Sequence, residues 1–336
     1  MVTYINTVFR LVFGQTFLQY LVSVPSGFLT ALLTLFTAGS ARQFGFGGLA
    51  IDLKKPGTIM VAALNSWWPD GQIWRSDDSG TTWSPLWAWA DNSNSNRDKY
   101  YSWDTSLAPW LSSLVNSAQV GWWIEALAID PFDGDHWLYG TGASIWGGHD
   151  LTNWDIKHNV TLKSLADGIE QTAVRALISP PTGPNLFSGA LDVGGFAHAD
   201  LDESPSVAYA NPTFIDTISL DYAGNMPSTL VRPLHAIAVF TLITVQVRIG
   251  STDRDTNTCK LALSYDSGAS WSQDYDAALG VSGGVVGISA DADIILWRDA
   301  GTNTVKYSHG TSSFTASKGV PPGAAIASDK QVKSLH

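Results

Sequence analysis

Apolar and polar positions come in blocks along most of this chain, and four stretches repeat one plan. Leu49-Ala50-Ile51-Asp52 gives way to the turn Lys54-Lys55-Pro56-Gly57 and then to an apolar run over 58–64. Leu127-Ala128-Ile129-Asp130 leads through Pro131-Phe132-Asp133-Gly134-Asp135 into Trp137-Leu138-Tyr139-Gly140. Ala176-Leu177-Ile178-Ser179 leads through Pro180-Pro181-Thr182-Gly183-Pro184 into Leu186-Phe187-Ser188-Gly189. Val286-Gly287-Ile288-Ser289, Ala290-Asp291-Ala292-Asp293 and the run 294–297 make the fourth copy. Each reads as two strands joined by a polar or Pro/Gly turn.

Two octets punctuate these strands. Ser76-Asp77-Asp78-Ser79-Gly80-Thr81-Thr82-Trp83 and Ser264-Tyr265-Asp266-Ser267-Gly268-Ala269-Ser270-Trp271 fit the Asp-box pattern, S-x-D-x-G-x-[ST]-W. In such a hairpin Asp78 turns its carboxylate onto backbone N–H groups, Gly80 takes the positive φ of a tight turn, and Trp83 buries its ring beneath. Small antiparallel sheets repeated tens of residues apart mark a β-propeller, so the predicted class is all-β, with propeller blades carrying Asp-box hairpins. At roughly 40–50 residues per blade, residues 44–330 allow about six blades.

Residues 1–43 differ from the rest. No charge occurs between Leu11 and Ala41, Arg10 precedes the apolar runs, and Ala38-Gly39-Ser40-Ala41 supplies small residues for a signal peptidase. This signal-like segment predicts an extracellular protein, and a segment outside the mature fold is the alternative. Gln15, Gln19 and the Pro25-Ser26-Gly27 break argue against a membrane span, so no stable membrane partner is expected.

Composition narrows the chemistry. A net charge of −11 argues against a nucleic-acid partner, which needs a basic face. A single cysteine, Cys259, excludes an internal disulfide and a cysteine-based zinc site. The seven histidines show no metal-binding spacing; His198-Ala199-Asp200 offers two ligands on one strand face and no third. No metal or cofactor is expected. Thirteen of the 15 tryptophans fall between Trp67 and Trp154, which concentrates flat apolar faces in one segment.

Seven segments carry a family resemblance. Phe44-Gly45-Phe46-Gly47-Gly48-Leu49, Asn65-Ser66-Trp67-Trp68-Pro69-Asp70, Ile129-Asp130-Pro131-Phe132, Gly140-Thr141-Gly142-Ala143 and Leu151-Thr152-Asn153-Trp154-Asp155 are five of them. The others are Lys163-Ser164-Leu165-Ala166-Asp167-Gly168-Ile169-Glu170 and Asp221-Tyr222-Ala223-Gly224-Asn225. In this order they resemble the xyloglucanases of glycoside hydrolase family 74. The resemblance implies two tandem seven-bladed propellers facing across a cleft, and inverting hydrolysis of the β-1,4-glucan bonds of xyloglucan. It divides the chain into the last blades of the first propeller over 44–160 and the first blades of the second over 161–336. An apolar run near 233–258 departs from the family as an insert. The family's catalytic Asp lies in a D-x-G-G segment, here Asp192-Val193-Gly194-Gly195, which makes Asp192 the general acid. The matching segment of the first propeller, which carries the base, is not found before Phe44. The expectation is therefore a fragment or a mis-assembled gene product without its base segment, a glycoside hydrolase whose activity in this form is left open.

Read without the family, Asp192 has two roles open to it. Leu191 and Val193 flank it and could desolvate it toward a proton donor's pKa, while Gly194 and Gly195 leave room for a sugar ring beside the backbone. Alternatively Asp192 caps a turn through the N–H of Gly194 or Gly195. Trp67 and Trp68, and again Trp122 and Trp123, are read as neighbours on a strand, so that one of each pair faces a glucan and stacks on it. Trp83, Trp154 and Trp271 are read as core. The expected partner is xyloglucan or a related plant cell-wall β-glucan, bound by a monomer. A non-catalytic glucan-binding remnant is the second reading. A sialidase-type hydrolase is the third, although the nine arginines carry no accompanying motif.

Overall fold

A computed structural model of the chain describes residues 45–331 other than 67–68, 92–94, 115–117, 170, 214–215, 234–260, 276–282 and 311–312. The signal-like segment, Trp67 and Trp68, Cys259 and nearly all of the insert lie outside the described residues. These residues form two compact units, one holding 45–107 and 118–169, the other 108–114 and 171–331. Strands dominate both. None of the described helices is long and apolar enough to cross a membrane.

In the first unit β1 (Phe46–Ile51), β2 (Ile59–Ala63), β3 (Ile73–Ser76) and β4 (Ser84–Pro85) form an antiparallel sheet in sequence order. Strand β1 alternates buried and half-buried positions, and β2 is buried throughout, so β2 sits inside the layer and β1 on its margin. A short hairpin joins β5 (Trp87–Trp89) to β6 (Arg97–Lys99). The second sheet runs β7-β11-β10-β9-β8, from β7 (Tyr101–Asp104), β8 (Leu127–Ile129), β9 (His136–Gly140), β10 (Ile145–His149) and β11 (Val160–Ser164). Here β7 and β11 pair in parallel, Tyr101 opposite Val160, where a wholly antiparallel sheet was expected. The pairing closes over a long excursion in the chain, which a parallel pair requires and a hairpin does not.

The second unit holds three sheets. β12 (Val174–Ile178), β13 (Leu186–Ala190) and β14 (Gly194–His198) form one, and β15 (Asp221–Ala223), β16 (Met226–Pro233), β17 (Leu261–Ser264) and β18 (Ser272–Tyr275) form the next. The last contains β19 (Gly284–Ile288), β20 (Ile294–Asp299), β21 (Val305–His309) and β22 (Thr315–Ala316). Val231, Leu261, Leu263, Val286, Ile288 and Trp297 form one buried cluster. Phe187, Tyr209, Leu230, Ala262 and Trp271 form another. All four predicted strand pairs are present, as β1–β2, β8–β9, β12–β13 and β19–β20.

Both octets close on the same bonds. Ser76 Oγ donates to Asp78 Oδ1 at 2.8 Å and accepts Gly80 N–H at 2.8 Å, while Thr82 N–H and Oγ1 donate to the two Asp78 oxygens at 2.8 and 2.7 Å. Ser264, Asp266, Gly268 and Ser270 repeat the set. Gly80 and Gly268 take φ of 84° and 79°, a region costly for any residue with a Cβ. Trp154 and Trp271 are buried and Trp83 half-buried. The Thr82 N–H and hydroxyl lead the donors that hold Asp78 down to a pKa of about 2. A folded pKa below the unfolded one gives stability that is complete above the unfolded value and lost as pH falls through the folded one. The Asp78 turn therefore opens between about pH 4 and pH 2. In a carboxyl-carbon NMR titration Asp78 should show its midpoint near 2; a midpoint at the ordinary aspartate value would contradict the bonding described.

Candidate functional site

Asp192 stands in the three-residue connection between β13 and β14, beyond the Ala190–Gly194 pair. Backbone bonds close this connection: Val193 N–H donates to Leu191 O and Gly195 N–H to Val193 O, both at 2.9 Å. Asp192 takes φ of 68°, left-handed backbone that costs a non-glycine residue roughly 1 kcal/mol and that aspartate tolerates better than most. Its N–H is held at 2.8 Å by Oδ1 of Asp216, a buried carboxylate, and Thr217 N–H donates to Ala190 O at 3.0 Å. Residues 216–217 thus brace the hairpin from the side.

The Asp192 side chain is exposed, and among the described residues its carboxylate forms no hydrogen bond or ion pair. Two expectations change. Leu191 and Val193 do not cover it: they are half-buried while Asp192 is exposed. Nor does it cap the turn: its carboxylate accepts neither the Gly194 nor the Gly195 N–H, and the latter goes to Val193 O. What remains is a carboxyl group fixed through its backbone and open to solvent. Asp216 had no signal in the sequence, since a lone Asp between an isoleucine and a threonine announces no partner.

Gly194 and Gly195 are buried in β14. A Cβ on Gly195, which has φ of 129°, would lie 2.0 Å from Ser188 O and 2.9 Å from Tyr209 Cε2. Strand pairing and the Tyr209 ring therefore account for this glycine. Tyr209 donates two bonds to β14: its N–H to Gly195 O at 3.0 Å and its hydroxyl to Phe196 O at 2.7 Å. The Arg232 guanidinium lies 4.9 Å from the Tyr209 ring centre and 4.5 Å from that of Trp271, with Nη2 donating to Pro212 O at 2.6 Å. Burial lowers the Arg232 pKa to about 9. On β14, His198 Nε2 lies 2.9 Å from Ser188 Oγ, and burial lowers its pKa.

Trp122 and Trp123 lie in the first unit, in an irregular segment before β8 and not on a strand as expected. Trp123 takes φ of 56°, so the pair is splayed by a turn: Trp122 is half-buried and Trp123 is 54% exposed, the most open of the described tryptophans. Asp70 fixes this segment. Its Oδ1 accepts the N–H of Gly71, Val120 and Gly121 at 2.8, 3.0 and 3.0 Å, and its Oδ2 lies 2.9 Å from Arg97 Nη1. Burial pushes the Asp70 carboxyl above the usual range, against the pull of Arg97 and the Val120 and Gly121 N–H groups. Behind the indoles, Gly142 N–H donates to Trp122 O at 2.8 Å, and a Cβ on Gly142 would lie 2.4 Å from Trp122 Nε1.

The structure thus brings Asp192, Gly194 and Gly195 together on one hairpin of the second unit and places Trp122 and Trp123 on one turn of the first. Chemically these are an exposed, positioned carboxyl group and an exposed indole face.

No protein-family model matches the chain. A xyloglucanase from Hypocrea jecorina is 47% identical over 312 residues, which cover 89% of this chain and 35% of that protein. A xyloglucanase from a Paenibacillus species is 38% identical over 318 residues, covering 92% of this chain and 29% of that protein. Among solved structures, the GH74 xyloglucanase from Xanthomonas campestris superposes with a TM-score of 0.68 at 28% identity, over 88% of this chain and 37% of that one. The GH74 enzyme of Niastella koreensis shares the fold, with a TM-score of 0.65 at 21% identity, over 86% of this chain and 37% of that one. The chain spans about a third of the length of the relatives it matches.

Proposed function

Because this chain belongs to glycoside hydrolase family 74, we propose that it acts on xyloglucan, with Asp192 as the general acid in an inverting cleavage of β-1,4-glucan bonds. The observation that carries the reading is the Asp192 carboxyl group: exposed, without a protein partner among the described residues, and held on a left-handed turn by buried Asp216. Strained backbone under an exposed functional group is where a positioned catalytic side chain is expected. Inversion needs a second carboxylate roughly 6.5–9.5 Å away to activate water. The sequence contains one D-x-G-G segment, so the carboxylate that serves as base lies outside this motif.

In this reading, residues 44–160 are the last blades of one seven-bladed propeller and 161–336 the first blades of another. The four-stranded sheets and the two octet turns are their blade units. Trp123 and Trp122, with Trp67 and Trp68, form stacking faces for glucose rings; neutral sugars offer C–H faces and no charge, so an exposed indole is the chemistry that fits. Asp78 and Asp266 are scaffold. The protein is extracellular and monomeric and needs no cofactor.

Retardation in gels containing xyloglucan tests the binding half. Trp123→Ala should weaken retention by about tenfold, about 1.4 kcal/mol, with no change in melting temperature, because the ring is mostly in water. Unchanged retention would remove Trp123 from the binding surface.

A further inference from the structure

We propose that Asn159 is an attachment site for an N-linked glycan. Asn159-Val160-Thr161 is an N-x-[ST] acceptor sequence. The other N-x-T triplet, Asn211-Pro212-Thr213, is blocked by its proline. The structure supplies what the triplet alone does not. Asn159 is exposed, between a helical turn, Asn153–Lys157, and β11. Its backbone is held on both sides: His158 ends the helical turn at φ of 49° with Nε2 2.9 Å from Pro85 O, and Val160 N–H donates to Tyr100 O at 3.2 Å. The Asn159 amide itself forms no hydrogen bond among the described residues.

Val160 is buried, so its two neighbours project to the opposite side, which places the acceptor amide and the Thr161 hydroxyl on one face. Ile156, three residues earlier, is 75% exposed, and a glycan beside it covers apolar surface that the fold leaves bare. The donor is an oligosaccharide carried on a lipid pyrophosphate. The Asn159 Nδ2–C1 bond forms as the bond from C1 to the pyrophosphate oxygen breaks. The lipid pyrophosphate leaves with the electron pair, and the amide nitrogen loses one proton.

The site rests on the reading that the chain is secreted, and the test separates the two. The full chain is produced in a eukaryotic secretory host, in its own form and with an added secretion signal ahead of Met1. The mass of each form is then measured before and after peptide N-glycosidase. The expected result is a loss of one glycan mass, with Asn159 converted to Asp. Asn159→Gln and Thr161→Ala should abolish that loss, and Thr161→Ser should retain it. If the form with the added signal reaches the medium without a glycan, the proposal is overturned. A glycan on that form and none on the chain's own form leaves the site standing and overturns secretion by residues 1–43.

Discussion

Replacing Asp70 by alanine should destabilise the first unit by about 3–5 kcal/mol, the usual consequence of removing one partner of a buried ion pair. The carboxylate gathers three backbone N–H groups and the Arg97 guanidinium. Alanine takes the acceptor from these four donors, and from the Tyr101 hydroxyl at 3.4 Å. For a unit of this size the loss is about 10–20 °C in melting temperature, read by calorimetry. Arg97→Ala should cost less, because its side chain is 14% exposed while that of Asp70 is 1% exposed. In the double variant the two changes should be less than additive, since the lone buried charge disappears. A loss below about 1 kcal/mol for Asp70→Ala would mean that the segment 118–123 is held in another way. The same change should release the turn carrying Trp122 and Trp123, so xyloglucan retention falls with stability, unlike the clean binding loss expected of Trp123→Ala.

The strands that were legible in the sequence share one property: each couples an apolar run to a turn with its own chemistry. Lys54-Lys55-Pro56-Gly57 and Pro180-Pro181-Thr182-Gly183-Pro184 mark where β1 meets β2 and β12 meets β13. The octets were legible for the same reason, since every bond that closes them lies within eight residues. Less could be read of the outer strands. Ser84–Pro85 and Thr315–Ala316 are two residues each, too short for any period. Strand β16 was missed because its only apolar pair, Leu230-Val231, stands between Pro227-Ser228-Thr229 and Arg232; that guanidinium is buried beside Tyr209 and Trp271, which come from distant parts of the chain. The parallel β7–β11 pair has no local turn to announce it. At the candidate site, D-x-G-G marked the hairpin, but neither the exposure of Asp192 nor its brace by Asp216 follows from neighbours in sequence. The backbone had to be seen to show that Gly195 makes room for Ser188 and Tyr209.

The other large effect concerns Asp192 itself. An acid that protonates the leaving oxygen contributes about 10²–10⁴ to the rate. Asparagine keeps the size and tolerance for left-handed backbone of aspartate but has no proton to give. Asp192→Asn should therefore leave the fold intact, because the Asp216 bond goes to the backbone N–H and not to the side chain. Its melting temperature should match the parent's, and so should its retardation by xyloglucan.

Cleavage is the most direct test, with azide added so that the outcome does not depend on the base. Azide at high concentration can take the place of base-activated water at the anomeric carbon, because it attacks without needing a proton removed. Chain scission of xyloglucan is measured by size-exclusion chromatography for the parent chain and for Asp192→Asn, each with and without azide, and the glycosyl azide product is identified by mass spectrometry. The parent should form glycosyl azide as it cleaves, and Asp192→Asn should lower the azide-driven rate by at least about 100-fold while binding is unchanged. Azide-driven scission within a few-fold of the parent in Asp192→Asn, or no glycosyl azide from the parent, would contradict Asp192 as the acid.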